Sequence, residues 1–414
     1  MKKMMVVSLV AFASMAQALP EISSVTMSQN PSTRKVTIEY LLRGEDAVVT
    51  VDIQTNAIAD ADSGWVSIGS ENLIGFAGDV NRKVSHGENV RTIKWNPDTY
   101  WPGHTLPART TRAIVTAWAT NAPPDWLVCE LSAPYDVTYY QHASQVPDGV
   151  TSKKYKRTHM LFRKIPAKGV VWTMGAGGTA SADAPHKVAL TEDYYIGVYQ
   201  LTKAQTGATS IGDVQGSTPY NDRTYHKLRG NVKGTQWPMF NADGSIDYVK
   251  SHEVDAGSII YGLRNKCRLL FDLPTEAQWE YAARAGETRA VFGDGTISVG
   301  NLAVFGRFRG DLDKADCEGF SGALASVGSY RPNAFGLYDV LGNVYEGCLD
   351  WYESFENVDV DKVHCDPVGA STGTARVYRG GSYYYDNGDL ASRSWESPDG
   401  AWAAHGYRLA IPLY

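Results

Sequence analysis

Beyond residue 20 this chain of 414 residues lacks any uninterrupted apolar run of the roughly 20 residues needed to cross a bilayer. It also lacks an excess of positive charge. Its 39 Lys and Arg stand against 45 Asp and Glu, for a net charge of −6 and an isoelectric point near 5.9. With no basic patch to neutralise phosphates, nucleic acid is not an expected partner. Five cysteines are too few for a disulfide-dense scaffold, and their spacing matches no zinc motif. Charged residues at 20% are too sparse, and hydrophobic ones at 43% too abundant, for a disordered chain.

What is present points to short elements, many turns and aromatic packing: 40 Gly, 18 Pro, 24 Tyr and 11 Trp. That composition does not suit a helix bundle, and at roughly 100–200 residues per domain the length predicts two or three domains. Residues 1–18 read as a signal peptide. Met1-Lys2-Lys3 carries positive charge, Met4 to Met15 is apolar, and Ala16-Gln17-Ala18 gives the small-x-small cleavage pattern. The competing reading is a buried first helix. Cleavage after Ala18 removes Lys2 and Lys3 and predicts an exported protein, periplasmic, cell-surface or extracellular, with no transmembrane segment in the mature chain. Disulfides are permitted in such compartments, and Cys348 with Cys365, which bracket one short loop, form a candidate pair. Both being free is an equal alternative.

Residues 19–132 read as a small all-β sandwich of immunoglobulin or fibronectin type. Val36, Ile38 and Tyr40 alternate with polar neighbours, as do Val49, Val51 and Ile53. The stretches Trp65–Ile68, Val90–Trp95 and Ala113–Trp118 continue the pattern, and Asn30-Pro31-Ser32 and Asn96-Pro97-Asp98 supply turns. No catalytic constellation falls there. Residues 133–156, with Pro134, Pro147-Asp148-Gly149 and the start of the basic run Lys153–Arg157, read as a linker. From 157 onward the texture is Gly-rich loop with isolated strands and few helices. The clearest helix follows Leu273-Pro274: Thr275 is a good N-cap, Gln278 completes a capping box, and Gly286 suits the left-handed end.

The same stretch, Leu273-Pro274-Thr275-Glu276-Ala277-Gln278-Trp279-Glu280-Tyr281-Ala282-Ala283-Arg284, resembles a signature of the formylglycine-generating enzyme (sulfatase-modifying factor) family. Gly336 to Glu346 resembles that family's G-L-Y-D-x-x-G-N-V-W-E, Arg376 to Tyr383 its R-V-x-R-G-G-S-[WY], and Gly406-Tyr407-Arg408-Leu409-Ala410 its closing G-F-R-x-A. Ile165-Pro166-Ala167 through Gly175 gives an opening match, and Asp193 through Thr202 fits its F-Y-I-D-x-Y-E-V-T. The resemblance covers about 157–414. It implies an α+β, C-type-lectin-like fold with much irregular structure.

It also implies a chemistry, which this sequence keeps only in part. The family's oxidases hold copper(I) between two thiolates, the soft ligands that ion requires. Those two positions are Tyr385 and Leu390 here, so copper is not expected. Ser382, at the family's active-site serine, is retained, although a Ser in a Gly-Gly-Ser turn is equally a structural residue. Calcium is the expected cofactor, in a structural role. The resemblance places one site on the carboxylates of Asp339 and Glu346 with carbonyls of Gly342 and Val344, hard oxygens of the kind Ca²⁺ prefers. A second set is Asn301, Leu302, Glu318 and Phe320, with Glu in place of the usual Asp.

Tyr384, Tyr385, Asp386, Asn387, Asp389, Ser394, Trp395 and Trp402 carry the side chains of adaptable recognition surfaces and are the candidate ligand-binding residues. The competing reading packs these tyrosines into the former active-site floor. The leading function is therefore a non-catalytic, exported protein that binds an unknown protein, peptide or glycan. One alternative is a formylglycine-generating oxidase acting on sulfatase cysteines. A further alternative is a retroelement-diversified surface receptor, which requires a reverse transcriptase gene nearby.

Overall fold

A computed structural model describes residues 19–175, 184–208, 214–230, 237–239, 241–243, 245–289, 324–355, 358–384 and 389–413. The expected signal peptide, the second calcium set (Asn301, Leu302, Glu318, Phe320), and Tyr385, Asp386 and Asn387 lie outside the described residues. The described residues are mostly β, with few and short helices. The described residues divide into two compact units, one within residues 19–68 and 75–120 and the other within 69–74 and 121–413.

In the first unit, alternation builds the sheets. Strand Val36–Arg43 buries Val36, Ile38, Tyr40 and Leu42 on one side while Glu39 and Arg43 stay exposed. It lies between strands Glu21–Gln29 and Arg91–Trp95. Strand Ala47–Thr55 pairs antiparallel along its whole length with Thr111–Ala119, and on its other side with the short strands Val66–Ser67 and Arg82–Val84. The strand Glu21–Gln29 escaped the sequence reading for a physical reason. It is a sheet edge with no fully buried residue, and a bulge between Ser23 and Thr26 breaks its period.

Among the described residues, the second unit holds three sheets. A five-stranded sheet runs in the order Val137–Tyr140, Trp126–Glu130, His159–Ile165, Tyr194–Gly197, Ala410–Pro412. A three-stranded sheet joins Val171–Met174, His186–Ala189 and Val363–Cys365. A four-stranded sheet orders Arg393–Glu396, Arg376–Arg379, Tyr345–Trp351 and His405–Gly406. Tyr345–Trp351 is buried almost throughout, and Gly347 is required there because a Cβ would meet the Tyr407 ring at 2.9 Å.

The expected linker is corrected by this topology. Val137–Tyr140 is a strand of the five-stranded sheet, and Lys153–Lys156 forms a 3₁₀ turn that buries Tyr155 completely. Lys154 pairs with Asp148 at 2.6 Å and Arg157 donates to Ser217 at 2.9 Å. The basic run is therefore tied into the fold at Lys154 and Arg157. The boundary falls near residue 120 instead.

The helix Glu276–Arg284 forms as its capping box predicts. Thr275 Oγ1 accepts from Gln278 N–H, and Gln278 Oε1 accepts from Thr275 N–H. Ala285 takes the left-handed terminal conformation at φ 47° and Gly286 continues it. Trp279, Ala282 and Ala283 enter a core shared with Ile165, Leu337, Leu341, Val377 and Leu390.

This division has a direct consequence for proteolysis. Thr120, Asn121 and Ala122 are exposed and lie at the boundary, so a non-specific protease at low ratio should first cut there. Mass spectrometry should show a fragment starting between residues 120 and 125 and running through residues 133–157 uncut. First cleavage inside 133–157 would contradict the packing described for that segment.

Candidate functional site

The segment Leu337–Glu346 is buried along its whole length. Asp339, Gly342 and Asn343 all have positive φ, at 54°, 83° and 61°. This repeated left-handed turning aims several carbonyls inward instead of into a ladder. The carbonyls of Asp339, Gly342 and Val344 and the Glu346 carboxylate converge on one atom, Gln200 Nε2, at 3.1, 3.3, 3.2 and 3.0 Å. The residues expected to hold calcium are thus brought together. Gln200, whose place in the family pattern is a Glu, sits at their centre. That neutral-for-acidic replacement was the available signal for its role.

Each surrounding charge has a counterpart. Arg408 grips Glu346 at 2.7 and 2.8 Å, and Trp279 Nε1 donates to the same carboxylate at 2.7 Å. Asp339 Oδ2 accepts from Gly328 N–H at 2.6 Å, while Oδ1 is buried without a hydrogen-bond partner among the described residues. Burial pushes the Asp339 carboxyl up to about 6, against the pull of Gly328 N–H, Arg408 and Lys156.

The Gly380-Gly381-Ser382 turn packs against this segment. Gly380, at φ 89°, has no room for a Cβ, which would meet the Val340 carbonyl at 2.7 Å and the Trp279 ring at 3.0 Å. Gly342 N–H donates to Gly380 O at 2.7 Å, and Tyr383 N–H to Asn343 O at 2.9 Å. Ser382 is fully buried, and its Oγ accepts from Tyr384 N–H at 3.3 Å. Leu390 is also fully buried, in the core with Trp279 and Val377. Its carbonyl is held by Arg379 Nη2 at 2.8 Å, and Arg379 also donates to Ala391 O at 2.6 Å and pairs with Glu280. Asp389, read as a ligand residue, is buried, and its Oδ1 accepts from Ala391 N–H at 2.8 Å.

Of the remaining recognition residues, Tyr384, Trp395 and Trp402 are 48, 59 and 50% exposed. They do not form one patch by strand position. Trp395 is on the edge strand Arg393–Glu396, beside Tyr352 at 6.3 Å, with Ser394 half-buried on the same strand. Trp402 precedes the opposite edge strand and lies 6.3 Å from His405. Cys348 is buried and Cys365 exposed, and both are free.

The Sulfatase-modifying factor enzyme 1-like domain model matches residues 162–413. A formylglycine-generating enzyme of Thermomonospora curvata is 37% identical over 152 residues, 33% of this chain and 48% of that protein. One from Mus musculus is 27% identical over 310 residues, 66% of this chain and 80% of that protein. The chain spans about half the length of the bacterial relatives from Thermomonospora curvata and Streptomyces coelicolor, at 48 and 46%. Among solved structures, Treponema denticola variable protein 1 aligns with a TM-score of 0.44 at 24% identity, covering 62% of this chain and 96% of that one.

Asp350, beneath the helix, makes the pH behaviour testable. It is buried and accepts from Glu276 N–H at 2.7 Å; burial first, and then the Glu276 carboxylate, push it up to about 8. Its folded-state value lies above its unfolded one, so its contribution is fully present below about pH 4 and is lost as pH rises through about 8. Asp350→Asn keeps the acceptor and removes the titration. It should gain stability over the natural protein from pH 5 to pH 9, by on the order of a few kcal/mol. Denaturant unfolding at both pH values measures this; a constant difference would refute the assignment.

Proposed function

The chain belongs to the sulfatase-modifying factor enzyme 1-like family, and from that premise we propose that it is an exported, non-catalytic member that binds a protein, peptide or glycan. In this reading the family domain is an α+β, C-type-lectin-like unit, and residues 19 to about 120 are an immunoglobulin- or fibronectin-like sandwich that carries it. The observation that supports loss of the oxidase chemistry is Leu390. Copper(I) capture needs a second soft thiolate at this position. A leucine there, fully buried among Trp279, Leu337 and Val377, offers no ligand atom, and Tyr385 replaces the first thiol. The residues present do not fit copper. Binding falls instead to exposed aromatic side chains such as Tyr384, Trp395 and Trp402, which combine large contact area with few rotatable bonds.

Competitive copper(I) titration under reducing conditions tests the reading. The natural chain should show no tight site, whereas Tyr385→Cys/Leu390→Cys should gain one. The variant should also lose on the order of 2 kcal/mol of stability, because removing buried methyl groups leaves a cavity. Formylglycine turnover on a sulfatase-motif peptide should stay absent in both. Stoichiometric copper binding with turnover by the natural protein would establish instead the activity named for its relatives.

A further inference from the structure

The buried oxygen ring on Leu337–Glu346 has the donor chemistry of a calcium site, yet its centre is filled from within the chain. We propose that the side-chain amide of Gln200 takes the place of a metal cation in this ring, so that the segment is held without an ion. The inference concerns this ring alone and does not depend on the function proposed above.

Three observations carry it. The first is position. A calcium ion would sit about 2.3–2.6 Å from its oxygens. Gln200 Nε2 lies 3.0–3.3 Å from four of them, which is hydrogen-bonding range for an amide. A cation bound by the same four oxygens would coincide with that nitrogen, so the two are mutually exclusive.

The second is orientation. An amide side chain presents either its NH₂ or its oxygen, and the surrounding network decides which. Here a backbone group makes the decision. Ala325 N–H, which cannot be an acceptor, donates to Asn343 Oδ1 at 3.1 Å. That leaves Asn343 Nδ2 to donate to Gln200 Oε1 at 3.0 Å. Gln200 Nε2 is thereby turned toward the oxygens. Both amides are completely buried, so no water exchange relaxes the constraint.

The third is charge. The carboxylates of Asp339 and Glu346, of which only that of Glu346 supplies an oxygen to the ring, already face two cations of the chain. Arg408 contacts Glu346 directly, and Lys156 acts electrostatically on Asp339. The neutral Gln200 adds nothing to be compensated. A Glu at this position, as in the family pattern, would add a third negative charge within about 3 Å of four oxygens and would require a cation.

Terbium(III), a luminescent substitute for calcium, provides the test, because Trp279 Nε1 lies 2.7 Å from the Glu346 carboxylate and would sensitise an ion held in the ring. Full-length natural protein, Asp339→Asn, Gln200→Glu and Gln200→Glu/Asp339→Asn are titrated with terbium and then with competing calcium. Asn tolerates the positive φ of position 339. Gln200→Glu should gain a calcium-competed emission phase at least tenfold tighter than any in the natural protein, and the double variant should bind more weakly, because it loses the Asp339 charge while keeping the Asp339 carbonyl in the ring. The melting temperature of Gln200→Glu should fall by several degrees with EGTA. Natural protein and Asp339→Asn should respond equally to EGTA and to terbium, whatever other sites contribute. If Asp339→Asn weakens or abolishes an emission phase or a chelator response of the natural protein, the ring already holds an ion and the proposal is overturned. If Gln200→Glu folds but gains no phase, the ring is no latent cation site and the proposal also fails. Should Gln200→Glu yield no folded protein even with calcium, the comparison of natural protein with Asp339→Asn decides.

Discussion

The buried pair of Glu346 and Arg408 is the contact on which the second unit is organised. Arg408 donates to the carbonyls of Gly197, Val198 and Tyr338 as well as to both Glu346 oxygens. Glu346 in turn receives Trp279 of the helix. One ion pair thus ties the strand Tyr194–Gly197, the segment 337–346, the helix Glu276–Arg284 and the C-terminal stretch. Taking two charges out of water is expensive, and such a pair is tolerable only when every remaining donor and acceptor is used. Here nearly all are. Removing either partner would leave a bare charge, at a cost on the order of 3–5 kcal/mol.

The helix repeats the same logic on its other side. Glu276 faces Arg393 at 2.6 and 2.8 Å, and Glu280 pairs with both Arg284 and Arg379. Near the positive end of the helix dipole, exposed glutamates would gain only about 0.3–1 kcal/mol. Their burial makes the arginines the larger effect. Arg379 then carries that pairing across to the backbone of Leu390–Ser392, so this segment is fixed by a charge network anchored in the helix.

What could be read beforehand follows from where periodicity survives. Val36–Arg43 and Ala47–Thr55 bury alternate or successive apolar residues and were visible from pattern alone. The capping box of Thr275 and Gln278 was visible because two side chains satisfy two backbone donors locally. Glu21–Gln29 was invisible because an exposed edge strand imposes no alternation. Val137–Tyr140 was lost among prolines and polar residues that mark turns locally but pair with Trp126–Glu130 through tertiary contacts. In the site, the motif identified Asp339, Gly342, Val344 and Glu346. It could not reveal that Gln200, 139 residues earlier than Asp339, meets them. That contact is a property of the fold and not of spacing.

The retained Gly-Gly-Ser turn now has a physical account that needs no catalysis. Gly380 is excluded from bearing a side chain by Val340 and Trp279, its carbonyl anchors Gly342, and the backbone of Tyr383 anchors Asn343. Asn343 is the same residue that orients the Gln200 amide. A change in the turn would therefore disturb the ring, and a change in the ring would disturb the turn. Leu390 stands outside this mutual constraint, because it is joined to it through its carbonyl and apolar packing, neither of which specifies a sulfur atom. The packing therefore constrains Gly380, Asn343 and Arg379 but asks for no sulfur at position 390.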